Sequence, residues 1–356
     1  MRSITRAGRR TIALAAGLLL VAFSAAPALA CGGLIGPNGA VNLLRTTTLA
    51  GYHDGVEHYI TSFEFAGAGG AFGSLTPLPG VPTSVEKGGD WTLQRLRIET
   101  DPPVPAPAFF AAESAAGRSS AEVLMEVTID ALDITVLRGG ADEVGVWATD
   151  HGFRLPPDAP EVLEFYAARS QIFLAAAFDG DAAAARGQNV GDGTPVHITI
   201  PTDNPWVPLR ILALGKTGTE VVDADVYLMT DITPAMLPAP DGFNGMSLDH
   251  SAAASQSLLA DLRSDRGMEW VPEHAWLTKI RLDGEASQFG YDLAIDATGA
   301  GSPSRVAAGL DLPGAVDPTG PALLRMLGTM MFLVGSLGSL VVLVTHRPSG
   351  GGMRPA

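Results

Sequence analysis

The chain has 356 residues, 46% of them hydrophobic, enough for one large core or two smaller ones. Its net charge of −15 at neutral pH argues against nucleic acid or an anionic lipid surface as partner and favours cations or basic partners. A single cysteine, Cys31, excludes an intramolecular disulfide.

Residues 1–30 place Arg2, Arg6, Arg9 and Arg10 before an uncharged run from Thr11 to Phe23 and end in Ala28-Leu29-Ala30. Basic leader, apolar stretch and small-residue site in that order predict a secretory signal peptide. Cys31 follows the cut either as a free thiol or, because Ala28–Cys31 partly resembles a lipoprotein box, as a lipidated N-terminus. Ordinary cleavage is preferred, since Ala28 and Ala30 fit the processing site and position 28 lacks the usual Leu. All 38 acidic residues lie between Cys31 and Leu324, whereas seven of the 23 basic ones lie outside that segment, which leaves it at −22.

The segments 43–50 and 56–65 are rich in Thr, Tyr, Phe and Ile and flank Asp54-Gly55, a strong hairpin signal. A type I′ turn there sets Arg45 opposite Glu64, Thr48 opposite Thr61, Leu49 opposite Ile60 and Leu44 opposite Phe65. The glycines at 67–73 read as a tight or bulged connection, since no Lys-Ser/Thr follows to make a phosphate cradle. Asp90 is placed to N-cap a helix over 91–98. Prolines 102, 103, 105 and 107 end that helix and mark a boundary near 101–120.

Beyond it, strands are expected at 123–129, 132–137, 171–178, 196–200, 209–214, 226–229 and 275–282, with helices at 160–169 and 257–263. Residues 179–195 read as a polar loop. The Pro/Gly-rich stretch from Gly299 reads as a stalk. Met326–Thr345 has no charged residue, and twenty residues at about 1.5 Å each reach about 30 Å, the thickness of a hydrocarbon core. His346, Arg347 and Arg354 follow and place that end on the cytoplasmic side.

The expected class is therefore α+β: a mainly antiparallel β-sheet ectodomain with a few helices, plus one C-terminal transmembrane helix. Its parts are a signal peptide (1–30), a β-rich part (31–118), an α+β part (119–298), a stalk (299–325), a span (326–345) and a tail (346–356).

CysGlyGly after the signal peptide, then FGSLTPLPGVP (72–82), DWTLQRL (90–96), LDITVLRGGAD (132–142), PWVPLRI (205–211) and LTKI (277–280) together resemble the bacterial family catalogued as domain of unknown function 2330. The resemblance implies an exported, often membrane-anchored protein and carries no biochemical activity. One departure is that CysGlyGly is often followed closely by a second cysteine in the family, whereas this chain continues LeuIleGly, so no family thiol role transfers.

Few residues suggest chemistry. The hairpin register puts His53 and His58 on one face as diagonal neighbours, the candidate metal pair, but Glu57 points the other way and a zinc site calls for three or four ligands. Asp249-His250-Ser251 and Asp150-His151 hold hydrolase-type residues side by side in sequence, where they do not face one another, and read as loop or cap residues. Asp179-Gly180-Asp181 begins like a calcium loop and lacks its later ligands. Trp147, Trp206, Trp270 and Trp276 line a groove or fill a core. Gly335 and Ser339 share a helix face and allow weak self-association.

No catalytic residue and no cofactor is assigned. The expected function is a non-enzymatic binding or interaction domain of the cell envelope, at the membrane with its N-terminal domain outside, acting on an unknown envelope protein or ligand and not on nucleic acid. The alternatives are an envelope hydrolase with a dispersed site and a structural envelope component.

Overall fold

The computed structural model describes residues 33–37, 39–40, 43–65, 71–101, 122–179, 194–312, 315 and 318. The elements below all belong to the unit Met1–Ala315. In chain order they are β1 (Gly33–Gly36), β2 (Gly39–Ala40), β3 (Leu43–His53), β4 (Val56–Phe65), β5 (Phe72–Pro77), β6 (Ser84–Lys87), α1 (Thr92–Thr100), β7 (Glu122–Ile129), β8 (Leu132–Arg138), α2 (Ala141–Asp150) and α3 (Ala159–Ala167). There follow β9 (Ile172–Phe178), β10 (Val196–Pro201), β11 (Trp206–Val207), β12 (Val221–Thr230), β13 (Ala235–Leu237), β14 (Met246–Ala253), α4 (Gln256–Ser264), β15 (Trp276–Glu285) and β16 (Leu293–Asp296).

The strands make three sheets: β14-β15-β12-β3-β4-β10-β6, β2-β1-β5-β9-β8-β7 and β11-β16-β13. Every pairing is antiparallel except β3 with β12, which run parallel with Thr46 beside Ala224 and Ala50 beside Leu228. The central strands of the seven-stranded sheet are buried on both faces, and their period-2 alternation sorts the side chains. Ala50, Tyr59, Ile198 and Val226 face a large core shared with Leu75, Val136 and Leu174 of the six-stranded sheet. Leu49, Ile60 and Tyr227 face a smaller core closed by Leu96 of α1 and by Leu258, Leu259 and Leu262 of α4.

The expected α+β class is corrected by these sheets: the described fold is mainly β, with four short α-helices among the described residues. The expected transmembrane helix at 326–345 lies outside the described residues. No described helix is long and apolar enough to cross a membrane; the longest, α2, has ten residues and spans about 15 Å, half a hydrocarbon core. The signal peptide, Cys31, Gly335 and Ser339 also lie outside the described residues. Strands from both expected parts of the ectodomain share sheets, since β4 pairs with β10 and β5 with β9.

Asp54 and Gly55 have φ of 49° and 76°, the left-handed pair that a type I′ turn requires. The register follows the expectation from His53↔Val56 back to Arg45↔Glu64, and Thr48 and Thr61 bring their buried hydroxyls to 3.1 Å. It departs at the far end, where a register shift between Leu43 and Arg45 puts Leu43, not Leu44, opposite Phe65.

Three further expectations are corrected by long-range hydrogen bonds. Asp90 does not cap α1: Asp265, from beyond α4, accepts from the backbone N–H groups of Asp90 and Trp91 at 3.1 Å and from the Thr92 hydroxyl at 2.8 Å. The strand expected at 209–214 is a 3-10 turn at Arg210–Ala213. Its amides go to side chains, with Leu209 and Arg210 donating to Asp292 at 2.7 and 3.0 Å and Ile211 donating to the Tyr166 hydroxyl at 2.8 Å. The beginning of the expected stalk packs on the fold: Ala307, Ala308 and Leu310 are buried, Ala308 accepts from the Asp292 amide, and Ala307 accepts from Arg169.

Candidate functional site

Strand alternation gives the β3–β4 hairpin two chemically different faces. Gly51, His53 and His58 lie on the side of the smaller core, while Tyr52 and Glu57 lie on the side of the larger one.

On the histidine face, β10 brings a partner that the sequence motif did not include. His197 sits across from Ile60, and its Nε2 lies 3.0 Å from His58 Nδ1, so one imidazole donates to the other. Trp270, which follows α4, stacks on His58 with ring centroids 4.1 Å apart and planes 2° from parallel. The same indole lies over Gly51, where a Cβ would collide with it, so any larger residue here must displace the indole. Burial, with the neighbouring His197 and His53 adding to it, pushes the His58 imidazole down to about 3. Burial likewise pushes His197 down to about 4 against an opposing pull from Glu269. Both rings are therefore neutral at pH 7.

His53, the other member of the expected metal pair, has its own partners. Its Nδ1 donates to Asp231 at 2.7 Å and its Nε2 lies 3.4 Å from Asp54. Among the described residues no group of three or more His, Cys, Asp or Glu side chains is arranged to hold a metal ion.

On the opposite face Glu57 is completely buried, across from Tyr52 and Ile200, and neither carboxyl oxygen has a hydrogen-bond partner of good geometry among the described residues. Burial raises its pKa to about 8, and the Trp206 backbone opposes this only in part. The carboxyl group is thus mostly protonated at neutral pH. Tyr52 donates its hydroxyl to the Thr202 carbonyl at 3.0 Å. Burial and the nearby Asp203, Glu57 and Asp296 all raise the phenol's pKa.

Beside Tyr52 opens a cleft of about 150 Å³, lined by Asp203, Asn204, Pro205 and the segment from Ile295 to Ser304. Its loop is organised by Asp296, which accepts from the Thr298 amide and hydroxyl at 2.8 and 2.6 Å and from the Ser302 amide at 3.0 Å. Those bonds hold the Asp296 carboxyl below the usual range, so it stays ionised. Among the described residues no lysine, arginine or histidine lines the cleft.

The remaining sequence candidates are not assembled into one place. Asp249, His250 and Ser251 lie along the edge strand β14, where the Ser251 hydroxyl accepts from Trp276 Nε1 at 2.9 Å. His151 ends α2, with Nδ1 at 2.8 Å from the Trp147 carbonyl and its ring stacked on Trp147. Trp147 and Trp206 are core residues. Asp179 is described, but Gly180 and Asp181 are not.

His197 was detectable in V-H-I-T-I, whose alternation puts His197 and Thr199 on one face. Glu57 left no trace, because a strand glutamate reads as solvent-facing until its neighbours are known.

The bacterial family described as "Uncharacterized protein conserved in bacteria (DUF2330)" matches residues 25–238, ending before the 277–280 segment. No curated protein matches the chain. Among solved structures, a mutated baculovirus P35 after caspase cleavage is 6% identical, with a TM-score of 0.36 over 71% of this chain and 97% of that one. Baculovirus P35 itself is 9% identical, with a TM-score of 0.35 over 72% and 92%. At such scores the likeness carries no inference about fold or function.

Proposed function

The chain belongs to the DUF2330 family of uncharacterized proteins conserved in bacteria, and we propose that it is an exported binding domain whose cleft beside Tyr52 receives a positively charged group of a ligand or partner. The observation that carries this reading is the cleft itself: a concave site with the ionised Asp296 in its wall, Asp203 at its exposed rim, and no basic side chain among its lining residues. The acidity of the whole segment between Cys31 and Leu324 draws the same class of partner from a distance. Export rests on the leader read at residues 1–30. The hydrolase alternative calls for a nucleophile and an imidazole in one cleft, whereas the hairpin sets His53 and His58 on the face opposite Tyr52.

A photo-crosslinking residue in place of Asn204, in the full chain in its native cell envelope, tests the reading. Capture of a specific basic partner is expected, and Asp203→Lys is expected to abolish it. Capture no different from that at the exposed Val221, or undiminished by Asp203→Lys, overturns it.

A further inference from the structure

The Trp270 contact lies on the face away from the cleft, and its geometry assigns it a different role. We infer that Trp270 is an acid-released latch, closed over the His58–His197 pair while those imidazoles carry at most one added proton and opened when both are protonated.

Three observations carry this. First, His58 Nδ1 and His197 Nε2 face each other at 3.0 Å, a contact that needs one hydrogen and one lone pair. Double protonation puts two N–H groups head to head and turns attraction into repulsion. Second, Trp270 is held there by apolar contacts: it stacks on His58, lies over Gly51 and packs at the margin of the smaller core, and its buried indole N–H has no hydrogen-bond partner among the described residues. If His58 moves, nothing polar retains the indole.

Third, the surrounding charges are largely committed elsewhere. On β3 and its turn, His53 is held by Asp231 and Asp54. On β6, Glu86 is the register partner of His197, and Lys87 pairs with Asp90 and Asp130. On the segment after α4, Asp265 caps α1 and Arg266 pairs with Asp90. Glu86 and Glu269 are the acids left to attract protons to the pair, and the buried Glu57 lies on the opposite face of the sheet.

Closed, the two rings bind protons only near pH 3 and 4; freed, they return toward the ordinary 6.5. The open state therefore takes up two protons that the closed state refuses, and its population relative to the closed state rises on the order of a thousandfold between pH 7.5 and 5.

The test is acrylamide quenching of tryptophan fluorescence in the full chain from pH 7.5 to 4.5, with Trp270→Phe subtracted to isolate the one indole and far-ultraviolet circular dichroism recorded in parallel. Trp270 is expected to be shielded at pH 7.5 and to become accessible in acid with a two-proton slope, before the backbone signal changes. His197→Gln keeps a hydrogen bond to His58 and carries no titrating proton, so no head-to-head repulsion can form; the slope is expected to fall to one proton or less and the rise at pH 5 to no more than roughly thirtyfold. Trp270 exposed at pH 7.5, shielded throughout, released only with global unfolding, or released in His197→Gln with the parent's two-proton slope overturns the latch.

Discussion

Glu57→Gln isolates the energetic consequence of burying a carboxyl group without a partner. In the unfolded chain this group titrates near 4.5, and in the fold burial moves it to about 8. Between those values the folded state keeps a proton that the unfolded state has released, so stability falls as pH rises through the window and is flat on either side of it. Each unit is worth about 1.4 kcal/mol, giving about 5 kcal/mol across the whole interval. Glutamine matches the protonated acid in shape and cannot ionise. Urea unfolding of the two proteins at a series of pH values, with the m-value unchanged, should give near-equal stabilities at pH 5. The variant should then gain about 4 kcal/mol relative to the parent by pH 8, other titrating groups cancelling between them. Parallel curves, differing by a constant from pH 5 to 8, would refute the claim that burial dominates this carboxyl.

Gly51→Ala forces a Cβ into the Trp270 indole and should cost about 1–3 kcal/mol by overpacking; adding Trp270→Ala should recover part of that loss, a non-additivity that a double-mutant cycle in urea reads directly. Asp292→Asn leaves Arg169 buried without its anionic partner, so a loss of about 3–5 kcal/mol is expected by thermal or urea unfolding. Asp265→Ala removes three hydrogen bonds from the start of α1 and should destabilise by about 1–3 kcal/mol, whereas Asp90→Ala, at the position that the local sequence nominates, should cost much less.

The hairpin was legible because its information is local: Asp54-Gly55 sets the turn, and alternation sets the faces for both strands. The helices α3 and α4 were legible for the same reason, α4 being capped by its own Ser255, whose hydroxyl accepts from the Leu258 amide. What escaped was decided from far along the chain. Residues 209–214 have the composition of a strand, yet Asp292 and Tyr166 take their amides and bend them into a turn. Of the candidate site, the sequence identified His53 and His58 as hairpin residues and foresaw their shared face. It held no sign that His197 and Asp231 would divide those two imidazoles between them, or that the loop from Asp296 to Ser302 would wall a cleft beside Tyr52.

The parallel pairing of β3 with β12 joins strands about 180 residues apart in sequence, one near the start of the fold and one near its last third. Loop closure over that distance is slow, and until β12 arrives the inner edge of the β3–β4 hairpin offers unpaired amides and carbonyls to any other chain. A chain emerging N-terminus first therefore exposes its stickiest edge early and covers it late. The segment matched by the family, 25–238, includes β12 but stops short of β15, which covers the other edge of β12. A fragment cut at that boundary would close one edge only to open the next, and is expected to aggregate where the longer chain does not.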